Sequence, residues 1–314
     1  MSVTIKLYEK SKKNDWDSFL DTAKNSHFFF YRDYMEYHSD RFLDFSLIIL
    51  DQKEKIVALL PANIKDNVLH SHQGLTFGGF LINDKMKTET MLEVFKTLKE
   101  YSKKENIQKI IYKCMPYIYH IHPSEEDSYS LFRNDAKLFR RDVTTTIYLS
   151  EKIKYQEQRK RAVKKAVKNN LIFEESKDFR SYWEILEATL NAQHGARPVH
   201  TVDEIENLVT LFPENIKLFL AKKENVILGG VLVFENTQIV HTQYLANSII
   251  GRDVGALDFV IDKLINEIYK DKKYFDFGIS NENDGRFLNI GLIAQKEGFG
   301  ARAVVHDFYE LKFP

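Results

Sequence analysis

The chain has 314 residues, of which 44% are hydrophobic and 29% charged, and its 45 Lys and Arg residues equal its 45 Asp and Glu residues. This is the composition of a folded globular protein, and its formal net charge of zero excludes the overall basic field with which proteins gather DNA. The single cysteine, Cys114, excludes an intrachain disulfide and a cysteine-rich metal site. We expect no signal peptide, because residues 1–16 have no apolar core of the required length, and no apolar run of about 18 residues occurs. We expect a cytoplasmic protein without a metal, whose membrane contact is peripheral at most.

The first half of the chain predicts helices, a hairpin, a third strand, a glycine-rich loop, another helix and a last strand. Residues 116–140 have no clear pattern. The helices are predicted at 16–25, 27–37 and 88–105, the strands at 45–50, 56–64, 68–72 and 107–115, and the glycine-rich loop at 74–79.

The second half repeats this order. Its helices are predicted at 179–191, 203–212 and 257–268, its strands at 216–221, 226–234, 239–244 and 274–277, and its glycine turn at 251–255. Glu54 aligns with Glu224, an offset of 170, and residues 69–73 align with 239–243 at the same offset. Two copies of one long unit indicate an internal duplication. We therefore predict domains at 1–145 and 176–314, connected by a basic helix within 146–175.

That connecting segment is strongly basic. Residues 152–168 contain eight Lys or Arg residues and one acid, Glu157, and good helix formers dominate. The pattern is typical of a solvated linker face, and equally of an edge that holds phosphate. In the second case, Arg161 and Lys165 would contact a substrate.

The glycine turn before the helix at 257–268 is a second candidate anion site. Backbone N–H groups and the helix dipole can hold an anion where such a turn opens a helix. The candidate residues are Gly251, Arg252, Gly255 and Ala256. An ordinary tight turn of a βαβ unit has the same local pattern, so both interpretations stay open.

Taken together, these features resemble the FemABX-like branch of the GNAT acyltransferase superfamily over roughly the whole chain. The resemblance also extends to acetyltransferase-like proteins of bacterial surface-polysaccharide gene sets. The segments that carry it are the basic run 161–171, Tyr274-Phe-Asp-Phe-Gly278, Lys296-x-x-Phe-Gly300, 72–79, 194–201 and 241–244.

The resemblance implies an α/β (α+β) fold with two tandem GNAT-like domains, each a mixed, mostly antiparallel sheet flanked by helices. It also implies acyl transfer to an amine, with acetyl-CoA or another acyl-CoA as co-substrate bound at Gly251, Arg252, Gly255 and Ala256. Two positions depart from the pattern. Leu257 stands where the donor loop has Gly or Ala, and Gln295 stands where a Phe precedes the lysine.

Acyl transfer to an amine needs a base, a polarised carbonyl and a proton for the leaving group. His194 and His200 are candidate bases because histidine titrates near neutrality, although either could instead bind substrate or cap a helix. Asp276, between two phenylalanines of a strand, is a candidate base or substrate contact, and otherwise a partner of an arginine. The resemblance places Lys296 at the donor phosphate or acyl oxygen. Tyr244 is a candidate acid or a core residue, and the candidate substrate contacts are His72, Gln73, His241 and Gln243.

Three functions are consistent with these features. The first is an N-acyltransferase that moves an acyl group from a CoA thioester to a small-molecule or nucleotide-linked amino sugar in surface-polysaccharide synthesis. The second is an aminoacyl-tRNA-dependent transferase that acts on a peptidoglycan or lipid precursor, in which case tRNA is a partner. The third is a scaffold that binds a glycan precursor or a protein without catalysis.

Overall fold

A computed structural model of the protein describes residues 2–195 and 197–313, with the main chain alone for Gln193 and His194. The chain divides into two compact units. Unit one comprises residues 1–142, 283–286 and 305–314, and unit two comprises 143–282 and 287–304. The predicted domain at 176–314 thus differs from unit two, because the last strand continues into unit one and the basic helix belongs to unit two.

Unit one contains the first seven strands and four helices, and it includes the start of β8 and the end of the last strand. The strands are β1 (Val3–Leu7), β2 (Leu47–Asp51), β3 (Ile56–Leu60), β4 (Asn63–Lys65), β5 (Val68–His70), β6 (Leu81–Ile82), β7 (Lys109–Lys113) and β8 (Lys137–Tyr148). The helices are α1 (Lys13–Leu20), α2 (Arg32–Glu36), α3 (Thr88–Lys104) and α4 (Glu126–Arg133).

The core of unit one lies between α3 and the strands. Helix α3 places Met91, Val94, Phe95 and Leu98 on one face, which is the predicted helical spacing, and all four are buried. Strands β1, β2, β3 and β6 form one sheet in that order. Strand β5 pairs with β4 on one side and with β7, in parallel, on the other.

Unit two contains the remaining elements. Its helices are α5 (Glu157–Lys168), α6 (Phe179–His194), α7 (Val202–Leu211), α8 (Ile249–Val254), α9 (Ala256–Lys263) and α10 (Ile290–Glu297). Its strands are β9 (Ile172–Ser176), β10 (Ile216–Lys223), β11 (Val226–Glu235), β12 (Ile239–Asn247), β13 (Tyr274–Ile279), β14 (Asn281–Glu282), β15 (Phe287–Leu288) and β16 (Arg302–Lys312).

The sheet of unit two follows the order β8, β13, β12, β11, β10, β9. Helix α9 is covered on most of its surface, with residues 256–261 all buried, and it packs on this sheet beneath α5. A π-helical turn, Leu264–Ile268, extends α9. Helix α7 begins with a capping box in which Thr201 and Glu204 each bind the other's backbone N–H.

The two units contain one matching parallel ladder, as the predicted duplication requires. In unit one β5 pairs in parallel with β7 through three residues, ending at His70 opposite Ile111. In unit two β12 pairs in parallel with β13 through three residues, ending at His241 opposite Asp276. The matching ladders make His70 the counterpart of His241, an offset of 171. The predicted offset of 170 is wrong by one residue at this strand.

Several predicted segments differ from the structure, among them the strand predicted at 56–64, which is two strands, Ile56–Leu60 and Asn63–Lys65, in different sheets. Residues 27–37 form a 3-10 turn, Phe28–Phe30, followed by the short α2, and residues 116–140 contain α4, for which the sequence showed no pattern. Residues 251–254 lie in α8, so the predicted glycine turn is reduced to Gly255, whose φ is +79°. Among the helices that the structure describes, none has the length and apolar character needed to cross a membrane.

Candidate functional site

The candidate site lies where β12 and β13 stop pairing. Their parallel ladder ends at His241 and Asp276. Beyond this point β12 continues along β11 as far as Asn247, with a bulge at Gln243. Strand β13 follows β8 instead, and it bulges between Asp276 and Ile279. Bulges bend strands and redirect side chains, so the two strands part and leave a fork with His241 and Asp276 at its base.

Asp276 is fully buried at the base of this fork and accepts four hydrogen bonds. The hydroxyls of Thr144 and Thr146 on β8 donate to Oδ1, at 2.5 and 2.8 Å. Nδ1 of His241 lies 2.7 Å from Oδ2, and the N–H of Gly278 donates to the same oxygen at 3.3 Å. Four donors around one carboxyl group suit its charged form, which accepts hydrogen bonds and donates none.

His241 is held in one orientation by this carboxylate. With Nδ1 donating its proton to Asp276, Nε2 is the acceptor nitrogen of the neutral ring. The His241 side chain is 13% exposed, whereas that of Asp276 is fully covered. Gly278 lies against the ring edge with a φ of +76°, and a methyl group at this position would come within 3.0 Å of Cε1 of His241. A histidine oriented by a buried carboxylate can take a proton from an amine.

Lys296 on α10 secures the bulge of β13. Its ammonium donates to the carbonyl oxygens of Gly278 and Ile279, at 2.8 and 2.9 Å, and to the hydroxyl of Ser280 at 2.9 Å. Burial lowers the pKa of Lys296 to about 8, and the negative charge of Asp276 opposes that decrease. Asp276 and Lys296, both predicted from the sequence, are thus brought close together.

The predicted anion cradle at 251–256 has a different structure. The N–H of Gly251 donates to the hydroxyl of Ser248, at 2.9 Å, and the Ser248 side chain thereby caps the start of α8. The N–H groups of Arg252 and Gly255 donate to the carbonyls of Ser248 and Arg252. These three amides are therefore used inside the chain. Gly251 is required by packing, since a methyl group there would lie 1.9 Å from the carbonyl oxygen of Leu228.

The first turn of α9 contains a carboxylate of the protein itself. Asp258 lies in this turn, and Nη1 of Arg159 on α5 binds its Oδ1 at 2.7 Å. Burial raises the pKa of Asp258, and the guanidinium of Arg159 opposes that increase. Helix α5 also covers Gly255, because a methyl group there would come within 2.5 Å of the carbonyl oxygen of Ala162. An anion at this helix end would meet the carboxylate of Asp258.

A cavity of about 490 Å³ lies beside this turn, bordered by α5, α8, α9 and α10. Arg159 and Arg252 give it positive charge, Asp258 gives it negative charge, and Gln295 precedes Lys296 on the α10 side. The Oδ1 atom of Asn247 on this cavity is buried and has no hydrogen-bond partner among the residues that the structure describes. A polar ligand in this cavity would find both charges and an amide oxygen.

The other predicted residues of unit two lie elsewhere. Nδ1 of His200 binds the Tyr244 hydroxyl at 2.7 Å, both residues are buried, and burial raises the pKa of Tyr244. Arg161 and Lys165 are exposed on α5. His194 ends α6, and its side chain lies outside the described residues.

Unit one contains the remaining predicted residues. His72 is buried, has a φ of +65°, and its pKa is lowered to about 3, mainly by burial. Gln73 exchanges two hydrogen bonds of 2.8 Å with Asn63. In unit one, the place between β5 and β7 that corresponds to the fork is filled by the chain itself. The N–H of Ser71 donates to the carbonyl of Ile111, and the N–H of Lys113 donates to the Ser71 hydroxyl.

Sequence reasoning missed the pairing of His241 with Asp276 and the part played by the threonines. His241 was predicted to contact substrate, and His194 and His200 were among the predicted bases. The run of three threonines at 144–146 was the available signal, because the first and third residues of such a run in a strand point to the same face. Within the described residues, no group of three His, Cys, Asp or Glu side chains could hold a metal ion.

Comparison with solved structures identifies the fold class as FemX-like, with two tandem GNAT-like domains. The chain is similar to FemX, with a TM-score of 0.68, 13% identity, and 98% of this chain and 97% of that one covered. It is also similar to L-PGS from Bacillus licheniformis, with a TM-score of 0.61, 11% identity, and 95% and 91% covered.

A third similar structure is a tandem GNAT protein from the clavulanic acid biosynthesis pathway, with a TM-score of 0.55, 9% identity, and 100% and 99% of the two chains covered. The sequence matches no family model and has no significant match among curated proteins. These likenesses confirm the predicted fold.

Proposed function

We propose that the protein is an N-acyltransferase whose reaction takes place at the fork between β12 and β13. The observation that carries this proposal is the pairing of His241 with the buried Asp276 where the two strands part. The FemX-like fold supports it, since FemX and the tandem GNAT protein share this architecture. A buried carboxylate that binds a partly exposed histidine is needed for proton transfer. It is needed neither for a packed core nor for a binding scaffold.

The proposed chemistry is general-base catalysis of acyl transfer. Nε2 of His241 takes a proton from the acceptor's ammonium group, and the amine nitrogen then attacks the acyl carbonyl carbon. The bond from that carbon to the sulfur or oxygen of the donor breaks, the leaving group takes the electron pair, and the second proton that the nitrogen loses as the amide forms passes to the leaving sulfur or oxygen. Asp276 stabilises the imidazolium that forms, because its charge lies 2.7 Å from Nδ1.

The acyl donor is the first point on which two candidates differ. A CoA thioester is supported by the cavity with Arg159 and Arg252, and by the tandem GNAT neighbour, whose name refers to AcCoA. The amides at 251, 252 and 255 do not form the cradle that its pyrophosphate would require. An aminoacyl-tRNA donor is the second candidate, supported by that misfit and by the likeness to FemX. For the acceptor, we propose an amino sugar of surface-polysaccharide synthesis, in keeping with the sequence resemblance.

The proposal is tested by Asp276→Asn and His241→Gln in a transfer assay that offers acetyl-CoA or aminoacyl-tRNA as donor and amino sugars as acceptors. Loss of the base should lower kcat by about 100-fold, and His241→Gln should leave the melting temperature little changed. His200→Gln is the matched histidine control. Unchanged turnover in Asp276→Asn and His241→Gln would exclude the fork between β12 and β13 as the site of the reaction. A wild-type chain that turned over none of the donors would favour the function of a binding scaffold without catalysis.

A further inference from the structure

Two helices of unit two begin with aliphatic side chains that face solvent. Ile249 and Ile250 occupy the first turn of α8 and are 82% and 62% exposed. Ile290 and Leu292 occupy the first turn of α10 and are 67% and 37% exposed. Scattered exposed aliphatic residues are ordinary, but four of them on two helix ends make a patch.

The two helix ends lie at the mouth of one cavity. Arg252 of α8 and Gly291 of α10 both border the 490 Å³ cavity described above. Gly291 lies between Ile290 and Leu292, and Arg252 lies less than one helical turn after Ile249. Each pair of aliphatic residues therefore lies next to a residue that lines this cavity. We call them, together with the basic residues described next, the cavity-mouth surface.

Both helix ends are ordered by side-chain caps. The hydroxyl of Ser248 accepts from the N–H of Gly251, at 2.9 Å, and the side-chain oxygen of Asn289 accepts from the N–H of Leu292, at 3.0 Å. Such caps hold the first turn in place. The isoleucines are therefore presented on fixed turns.

Basic residues of α5 complete the surface. Gln158 borders the same cavity, and residues three and seven positions further along a helix lie in the same row, which places Arg161 and Lys165 beside it. Lys164 and Lys168 are also exposed. None of these four forms an ion pair with any residue that the structure describes, and Glu157 is the only acid on α5. Arg252, exposed at the cavity, adds a fifth positive charge.

We propose that the cavity-mouth surface docks the protein on an anionic lipid bilayer. Isoleucine and leucine side chains enter the boundary between headgroups and acyl chains, while Lys and Arg side chains bind lipid phosphates. A nucleic acid would use the positive charges of α5 but would gain little from the four aliphatic residues. The combination of the two kinds of side chain therefore favours a membrane surface, and this inference does not depend on the proposed reaction.

The test is sedimentation of the full-length protein with vesicles of phosphatidylcholine alone or mixed with phosphatidylglycerol. We expect co-sedimentation with the mixed vesicles, which weakens as salt is added. The double variant Ile249→Ser, Ile290→Ser should lose binding by about tenfold or more, and Arg161→Gln with Lys165→Gln by about tenfold. The matched controls are Leu43→Ser, 71% exposed in unit one, and Lys103→Gln with Lys104→Gln, exposed at the end of α3.

Circular dichroism of each variant should match the wild type, so that a binding loss is not a folding loss. Equal sedimentation with both kinds of vesicle, or none with either, would overturn the proposal. Binding that ignores the isoleucine substitutions would also overturn it. A third contrary result is a gel shift with tRNA that depends on Arg161 and Lys165 in a protein that does not sediment with vesicles, since the basic residues would then serve an RNA.

Discussion

His241 and Asp276 are the last paired residues of two parallel strands that then separate, and Oδ2 of Asp276 lies 2.7 Å from Nδ1 of His241. The ladder fixes both backbones at this point, so the spacing of the two side chains does not depend on a loop. The His241 side chain is 13% exposed at the point where the strands part. This relationship links the fold to the proposed chemistry.

Thr144 and Thr146 should act as positioning residues for Asp276. Replacing both by valine keeps their shape but removes the two donors to Oδ1, which leaves a buried oxygen unsatisfied at a cost of about 2 kcal/mol. We expect kcat to fall about tenfold with KM unchanged, since the carboxylate would no longer be held toward His241. Steady-state kinetics and urea unfolding measure the two effects.

The control is Thr145→Val on the same strand. Its hydroxyl is buried and has no hydrogen-bond partner in the described part of the chain, so its removal should not destabilise the protein. Equal kinetic effects of Thr145→Val and of the double variant would show that Asp276 is not positioned by its threonines.

Gly278→Ala should move His241. The φ of +76° disfavours any residue with a Cβ by about 1 kcal/mol, and the new methyl group would lie 3.0 Å from Cε1 of the ring. We expect a loss of turnover in addition to that loss of stability. Gly195→Ala is the control, because its φ of +57° carries similar strain while its methyl group would meet no atom of the described residues within 4 Å. Full turnover of both variants in the transfer assay would show that catalysis does not depend on the position of the His241 ring.

Lys296 should make stability depend on pH. Its pKa is lowered from 10.5 to about 8 in the folded chain, so the unfolded chain binds more protons between these values. The free energy of unfolding contributed by this group therefore rises as pH increases from about 8 to 10.5, by at most about 3 kcal/mol. In Lys296→Met this rise should be absent.

Urea unfolding of wild type and Lys296→Met at about pH 7, below this window, and at about pH 10, near its upper end, measures the difference. Lys103→Met, a change at an exposed lysine, should leave the pH dependence of the wild type intact. A parallel pH dependence in wild type and Lys296→Met would mean that Lys296 titrates normally.

Asp258→Asn should strengthen anion binding in the cavity. The substitution removes a carboxylate from the first turn of α9 and frees the charge of Arg159. A phosphate group placed there would gain from the helix dipole and from the guanidinium, and we expect its affinity to rise by about fivefold to tenfold. Calorimetry with coenzyme A measures the gain. Asp271→Asn, at an exposed acid after α9, is the control, and an unchanged affinity in Asp258→Asn would show that phosphate binds elsewhere.

Local pattern predicted the elements whose buried face is apolar. Helix α3 has a continuous apolar stripe, and its predicted range differs by one residue from the observed one. Helix α4 was missed because its buried positions include Asp127 and Ser130, so hydrophobic periodicity does not mark its inner face. The turn at 251–255 was wrong because Gly251 serves close packing inside a helix and not a change of chain direction.

The candidate site was predictable only in part for a related reason. A carboxylate between two phenylalanines of a strand identified Asp276, and the resemblance identified Lys296. The partner of Asp276 comes from a strand 35 residues earlier, and which residue of β12 lies opposite depends on register, which no local pattern encodes. The ladder of unit one has the same register, with His70 where unit two has His241, but the predicted offset of 170 aligned Ser71 with His241.

The filled fork of unit one gives the two copies different tolerances to substitution. Ser71 closes that fork with hydrogen bonds to Ile111 and Lys113 of β7. A methyl group at Gly78 would lie 1.9 Å from the Ser71 carbonyl oxygen. Substitutions there should reduce the amount of folded protein and leave the specific activity of the folded fraction unchanged. At the fork of unit two, substitutions should lower the specific activity and leave the amount of folded protein unchanged. The same structural feature would thus be under selection for folding in unit one and for catalysis in unit two.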